Sequence, residues 1–96
     1  MSGVKPMYAV KLLIRGKVQG VGYRRWFEKE AIQLELKGYV KNLATGEVEA
    51  VVVGDEQAIL SLIRHCHVGP LRAEVTSIEQ YKINHDLDFT QFKMIR

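Results

Sequence analysis

Apolar and polar positions alternate near the start of the chain: Tyr8, Val10, Leu12 and Ile14 fall on one side, with Ala9, Lys11, Leu13 and Arg15 on the other. A period of two predicts a strand with one well-buried face. The stretch Gly16-Lys17-Val18-Gln19-Gly20-Val21-Gly22 interrupts it. The period then changes. Tyr23, Trp26, Phe27, Ala31 and Leu34 recur at helical spacing, with Arg24, Arg25, Glu28, Lys29 and Glu35 around the rest of the turn, and Gly38 is placed to end the helix. Residues 39–43 and 48–53 predict a second and third strand joined by a tight turn around Thr45-Gly46. Asp55 is positioned to cap a second helix with the apolar stripe Ile59, Leu62, Ile63 and Cys66, closed by Gly69-Pro70. A fourth strand is expected over about 72–82, and the tail 89–96 predicts a short fifth.

The order is βαββαβ with an extra C-terminal strand. Two helices must bury their stripes against one face of a sheet, and the compact solution is an α+β, ferredoxin-like two-layer sandwich with a mostly antiparallel sheet. A chain of 96 residues is expected to form a single domain, 1–96, with residues 1–6 as a frayed lead-in. This topology hosts enzymes, RNA binders and regulatory domains alike, so it does not decide function.

Composition narrows the picture only slightly. The formal charge of +3 suits a small anionic ligand but is too weak to argue for nucleic acid, whose binders cluster basic side chains on one face. One cysteine, Cys66, excludes an intramolecular disulfide and a cysteine-based metal cluster. No apolar run reaches membrane-spanning length, and the start lacks the features of a signal peptide. The expectation is a cytoplasmic protein that engages no membrane.

The glycine-rich stretch carries the clearest chemistry. Consecutive amides in such a turn can point inward as an anion nest, reinforced by the positive end of the following helix. Arg24 lies in the first turn of that helix, and a guanidinium fork grips two phosphate oxygens at once. Loop and arginine together read as a cradle for a phosphoryl group. Because glycine-rich turns are common, the residues alone slightly favour the plainer reading, a tight turn beside a solvated surface charge. A Walker loop is excluded by the missing Gly-Lys-Ser/Thr ending. A dinucleotide motif starting at Gly20 fails because Arg25 stands at its third glycine. Asn42, taken alone, reads as a turn-entry residue bonding its own backbone.

Residues 16–24, Gly-Lys-Val-Gln-Gly-Val-Gly-Tyr-Arg, resemble the first signature of the acylphosphatase family, G-x-V-Q-G-V-x-[F/Y]-R. Residues 38–48, Gly-Tyr-Val-Lys-Asn-Leu-Ala-Thr-Gly-Glu-Val, with Gly54 beyond them, resemble the second. Both occur once, in order, in a chain of fitting length. The resemblance implies metal-free, cofactor-free hydrolysis of small acyl phosphates to carboxylate and inorganic phosphate. It implies that Arg24 and the amides of Lys17, Val18, Gln19, Gly20, Val21 and Gly22 hold the phosphate, and that Asn42 orients the attacking water. Tyr23 stands where Phe is commoner, and Ala44-Thr45 replaces the more frequent acidic or Pro-Asp turn.

Other reactive side chains are set aside. His65 and His67 lie two apart on a helix and do not face each other, so they are assigned to the helix terminus and not to a metal. His85 has no partner at ligand spacing, and Ser61 and Ser77 lack a nucleophile elbow. Cys66 falls on the apolar stripe and reads as a small core residue. Lys17 and Arg25 flank the site and are read either as added positive potential or as solvated charges. Two rival classes remain: a nucleic-acid-binding module of the same topology, and a non-catalytic anion-binding domain. Residues 47–53 carry two carboxylates and no aromatic, which argues against stacking on RNA bases. A monomer is the expected state.

Overall fold

The structure, a computed structural model, describes residues 7–83 and 89–96. The expected lead-in, 1–6, and His85 lie outside the described residues. Seven elements follow one another: β1 (Met7–Lys17), α1 (Tyr23–Gln33), β2 (Lys37–Asn42), β3 (Val48–Asp55), α2 (Glu56–Cys66), β4 (Glu74–Lys82) and β5 (Phe92–Ile95). The sheet order is β4-β1-β3-β2-β5. β3 runs antiparallel to both β1 and β2, and β4 antiparallel to β1, while β5 pairs in parallel with β2. This is the α+β, ferredoxin-like sandwich expected from the alternation of periods, with β5 making the sheet mixed.

Both helices pack on one face. Phe27 and Ala31 of α1 and Ile59, Leu62, Ile63 and Cys66 of α2 meet Leu12, Ile14, Val40, Val48, Ala50 and Val52 in one buried cluster. The dispersion and hydrophobic gain of that cluster is what holds the two layers together. The opposite face carries no helix among the described residues. There Lys11 and Lys41 flank Glu49, whose carboxylate also accepts from the Tyr39 hydroxyl at 2.8 Å. Burial works to raise the Glu49 carboxyl, but the Tyr39 hydrogen bond and the two lysines outweigh it and hold the group below its ordinary value. Arg15 pairs with Glu47 and Glu79 on the same face. No helix of the described residues is long and apolar enough to cross a membrane.

Gly38 does not end α1, contrary to the sequence expectation. The helix stops earlier. Leu36 N donates to Ala31 O at 2.9 Å and Glu35 N to Ile32 O at 3.0 Å, with Glu35 at φ 60°. That pair of bonds is a Schellman closure with a glutamate, and no glycine, in the left-handed position. Leu36 and Ala31 are both buried, supplying the accompanying apolar contact. Gly38 instead lies inside β2 at φ 131°, where a Cβ would run into the Val51 carbonyl oxygen. Asp55 does occupy the start of α2, yet its side chain makes no capping hydrogen bond. His65 lies in the last turn of α2, as expected, and its Nδ1 lies 3.0 Å from Glu30 Oε1, so it also bridges α2 to α1.

These two backbone positions predict opposite responses. Glu35→Gly relieves a left-handed L-residue and is expected to stabilise the fold by about 1 kcal/mol. Gly38→Ala combines a disallowed φ with a backbone collision and is expected to cost about 3 kcal/mol or more. Urea unfolding of the two variants beside the parent checks both signs.

Candidate active site

Antiparallel pairing on both sides of β3 makes β1 and β2 run in the same direction, and β5 follows β2. All three therefore finish at one end of the sheet. The glycine-rich loop leaves β1 there, Asn42 is the last residue of β2, and Ile95 is the last of β5. A cavity of about 170 Å³ opens between them, lined by Val18, Gln19, Gly20, Gly22, Tyr23, Arg24, Arg25, Asn42 and Met94. That is smaller than the roughly 300–1,000 Å³ of pockets that enclose drug-sized ligands, and it suits a phosphoryl group better than a nucleotide.

Gly20 and Gly22 sit at φ 75° and 79°, a region that L side chains rarely adopt. Space is not the reason for glycine at either position, because a Cβ there would meet nothing within 4 Å. The requirement is conformational: left-handed residues turn successive amides toward a common centre. Gly22 is also the N-cap of α1, and it provides no side-chain cap. The first amides of an α-helix have no intrahelical acceptor, so the N-terminus of α1 is left open toward the cavity. No amide from Val18 to Gly22 donates to a backbone carbonyl among the described residues.

Arg24 is held in place. Its Nη1 donates to Ile95 O at 2.7 Å. One of five guanidinium donors is thereby spent on the end of β5, which aims the remaining fork. Glu28, one turn further along α1, accepts from Met94 N at 3.0 Å. Two side chains of α1 thus clasp successive residues of the last strand. Neither Arg24 nor Arg25 makes an ion pair among the described residues, and no acidic side chain lines the cavity. The site is electropositive by construction.

Asn42 supplies the complementary group. Its Oδ1 is buried and has no hydrogen-bond partner among the described residues. A buried carbonyl oxygen without a donor costs about 1–3 kcal/mol, so the position is expensive unless something else uses the lone pairs. The turn-entry role that Asn42 suggests in isolation is not seen.

Of the residues expected to hold phosphate, Val18, Gln19, Gly20, Gly22 and Arg24 line the cavity together with Asn42. Lys17 and Val21 do not. Lys17 is the last residue of β1, paired opposite Glu74, and the Val21 side chain packs against the main core. The flanking Arg25 does line the cavity. Sequence reasoning missed Met94, Ile95 and Glu28. Only the Arg24–Glu28 spacing of one helical turn hinted that both could reach one neighbour.

Tyr23 anchors the helix start. Its hydroxyl donates to the Cys66 carbonyl at 2.8 Å, and its ring is almost wholly buried beside Trp26 and Phe27. Burial raises the Tyr23 phenol well above its ordinary value and pushes the Cys66 thiol up to about 12.

The acylphosphatase family model matches residues 10–94. An acylphosphatase of Acidiphilium cryptum is 47% identical over 72 residues, covering 75% of this chain and 79% of the relative. One of Methylococcus capsulatus is 38% identical over 90 residues, covering 94% and 98%. Among solved structures, an acylphosphatase from Coxiella burnetii superimposes with a TM-score of 0.88 at 34% identity, covering 93% of each chain.

Burial of Tyr23 and Cys66 makes a pH prediction. In the unfolded chain these groups ionise near 10.0 and 9.0, whereas the folded protein keeps both protonated well beyond that. The unfolded state then binds fewer protons, so stability falls as pH rises above about 9. Urea midpoints across pH 8–11 are expected to decline, and less steeply for Tyr23→Phe. At pH 8 the folded protein is expected to resist thiol reagents that label the unfolded chain.

Proposed function

This chain belongs to the acylphosphatase family, and on that premise we propose that it hydrolyses the carboxyl–phosphate bond of small acyl phosphates to carboxylate and inorganic phosphate. In this reading the loop amides from Val18 to Gly22 and the Arg24 fork hold the phosphoryl oxygens, and Asn42 orients the attacking water.

The observation that carries the reading is the Asn42 carboxamide in the cavity wall beside Arg24 and the glycine loop, its Oδ1 buried and without a hydrogen-bond partner among the described residues. An acceptor there is unhelpful to a site that only holds an anion, because it repels the anion's oxygens. It is useful when a water must be held by one of its protons while its oxygen faces phosphorus. This disfavours a purely anion-binding module.

The chemistry asks little more. Water forms a bond to phosphorus as the bond from phosphorus to the acyl oxygen breaks, and the electron pair leaves on a carboxylate. That leaving group needs no general acid. Phosphoryl transfer then depends on positioning and on charge stabilisation around the equatorial oxygens, which amides and one arginine supply. Asparagine does not take up a proton, so the water's proton passes to a non-bridging phosphate oxygen of the substrate. A pH–rate profile governed by an enzyme group with no counterpart in the substrate would sink that last step.

We extend the proposal to a cytoplasmic monomer working as one domain, without metal, cofactor or nucleic acid. Cys66 is buried and free. Lys11, Lys41 and Arg15 on the open sheet face are each paired with Glu47, Glu49 or Glu79, which lowers the positive potential that this face offers a nucleic-acid backbone.

Hydrolysis of benzoyl phosphate in the presence of a chelator tests the function. The parent is expected to turn over, and folded Arg24→Ala and Asn42→Ala variants to lose at least about 10²- to 10³-fold in rate. A folded but inactive parent defeats the proposal.

A further inference from the structure

The Gln19 side chain points away from the role its backbone takes. Its Nε2 donates to Leu43 O at 2.9 Å and to Glu47 O at 2.8 Å, consuming both amide hydrogens. These acceptors are the two ends of the turn between β2 and β3, and Leu43 directly follows Asn42. Each carbonyl already takes a bond from within the turn: Gly46 N donates to Leu43 O at 3.1 Å, and Leu43 N to Glu47 O at 2.8 Å. Removing the glutamine would therefore orphan neither carbonyl. What it would remove is a tie between segments 24 and 28 residues apart.

The sheet supplies no substitute for that tie. Pairing of β2 with β3 ends at Asn42 and Val48, and pairing of β1 with β3 ends at Ile14 and Val48. Beyond Val48 the ladder cannot fix the loop relative to the turn. β1 and β2 are separated by β3, a gap of about 9–10 Å at two strand spacings. Arg15 reaches the Glu47 carboxylate across the open face, but that half-exposed ion pair grips a flexible side chain and is screened by solvent. Gln19 grips backbone.

We propose that Gln19 is a positioning residue for the acylphosphatase reaction: its carboxamide clamps the β2–β3 turn to the phosphate loop and so sets the distance between Asn42 and the phosphoryl group. The inference rests on the proposed function. Arg24 and the loop amides bind phosphate whether or not the clamp is present. The clamp matters to the water held by Asn42, and hence to the rate of the chemical step rather than to anion affinity.

The test replaces Gln19 by Met, which keeps the length and loses both donors, and by Asn, which keeps the carboxamide one methylene short. Folding is checked by circular dichroism, and kinetics are measured well below the melting temperature. For Gln19→Met, kcat is expected to fall about 10- to 100-fold while the inhibition constant of inorganic phosphate moves less than about threefold. Gln19→Asn is expected to lose less. In an Asn42→Ala background Gln19→Met should cost almost nothing, because the group it positions is already gone. Three outcomes overturn the proposal: unchanged kcat, phosphate affinity falling in step with kcat, or an equal loss in both backgrounds.

A second measurement separates this inference from the function itself. Inorganic phosphate titrated into the parent is expected to shift the amide resonances of both the loop, 18–22, and the turn at Asn42 and Leu43. In Gln19→Met the loop should still respond and the turn should not. If the parent hydrolyses no acyl phosphate, the proposed function fails, yet this titration still decides whether Gln19 couples the two segments. A turn that responds equally in both proteins overturns the clamp.

Discussion

Everything at the site depends on the direction of β3. It lies between β1 and β2 and runs against both, so the two flanking strands are parallel and finish at the same end of the sheet. Val48 through Gly54 are buried along the whole strand, which anchors its register by packing on both faces. A slip by one residue would turn Glu49 into the helix-covered core and Val48 onto the charged face. The register therefore carries a large penalty for error, and with it the relative placement of the glycine loop and Asn42. β5, added in parallel beside β2, brings a third chain segment to the same end.

At that end several local rules of stable structure are broken together. The N-terminus of α1 has no side-chain cap, two glycines stand in left-handed conformation, and a buried amide oxygen has no partner among the described residues. The missing cap and the unpartnered oxygen are unfavourable in isolation, and the glycines give up side chains to reach a conformation that other residues rarely adopt. Their coincidence in one small cavity is the mark of a site shaped for a ligand, since natural chains tolerate such violations where function uses them. The neighbouring structure compensates. Tyr23 is pinned to the end of α2, Arg24 and Glu28 clasp β5, and Gln19 holds the β2–β3 turn.

Charge is partitioned in the same spirit. On the open face Lys11 and Lys41 surround Glu49, and Arg15 is shared between Glu47 and Glu79. Lys11, Lys41 and Arg15 on that face are thus paired with carboxylates. Arg24 and Arg25 are not. Two arginines without ion-pair partners among the described residues give the cavity an attractive potential for an anion.

Much of this was legible in the residues alone. Alternation with period two and then helical spacing located every element within a few positions, while the glycine loop with Arg24 left an anion cradle and an ordinary tight turn both open. The two signatures carried Asn42, which its own surroundings in sequence would have assigned to an ordinary turn. Local pattern failed where the deciding contact was distant. Gly38 looked like a helix stop because glycines often end helices, whereas its true constraint is the Val51 carbonyl of the neighbouring strand. Lys17 looked like part of the loop because β1 extends further than its apolar alternation does, through pairing with β4. The parallel seating of β5, the grip of Ile95 on Arg24 across 71 residues and the reach of Gln19 to the turn have no local signature at all. The sequence by itself determined which segments become strand, helix and anion loop, because those preferences act over a few neighbouring residues. Only the tertiary structure decided strand order and the aim of the side chains at the cavity, because hydrogen bonds between distant segments exist only after the sheet has closed.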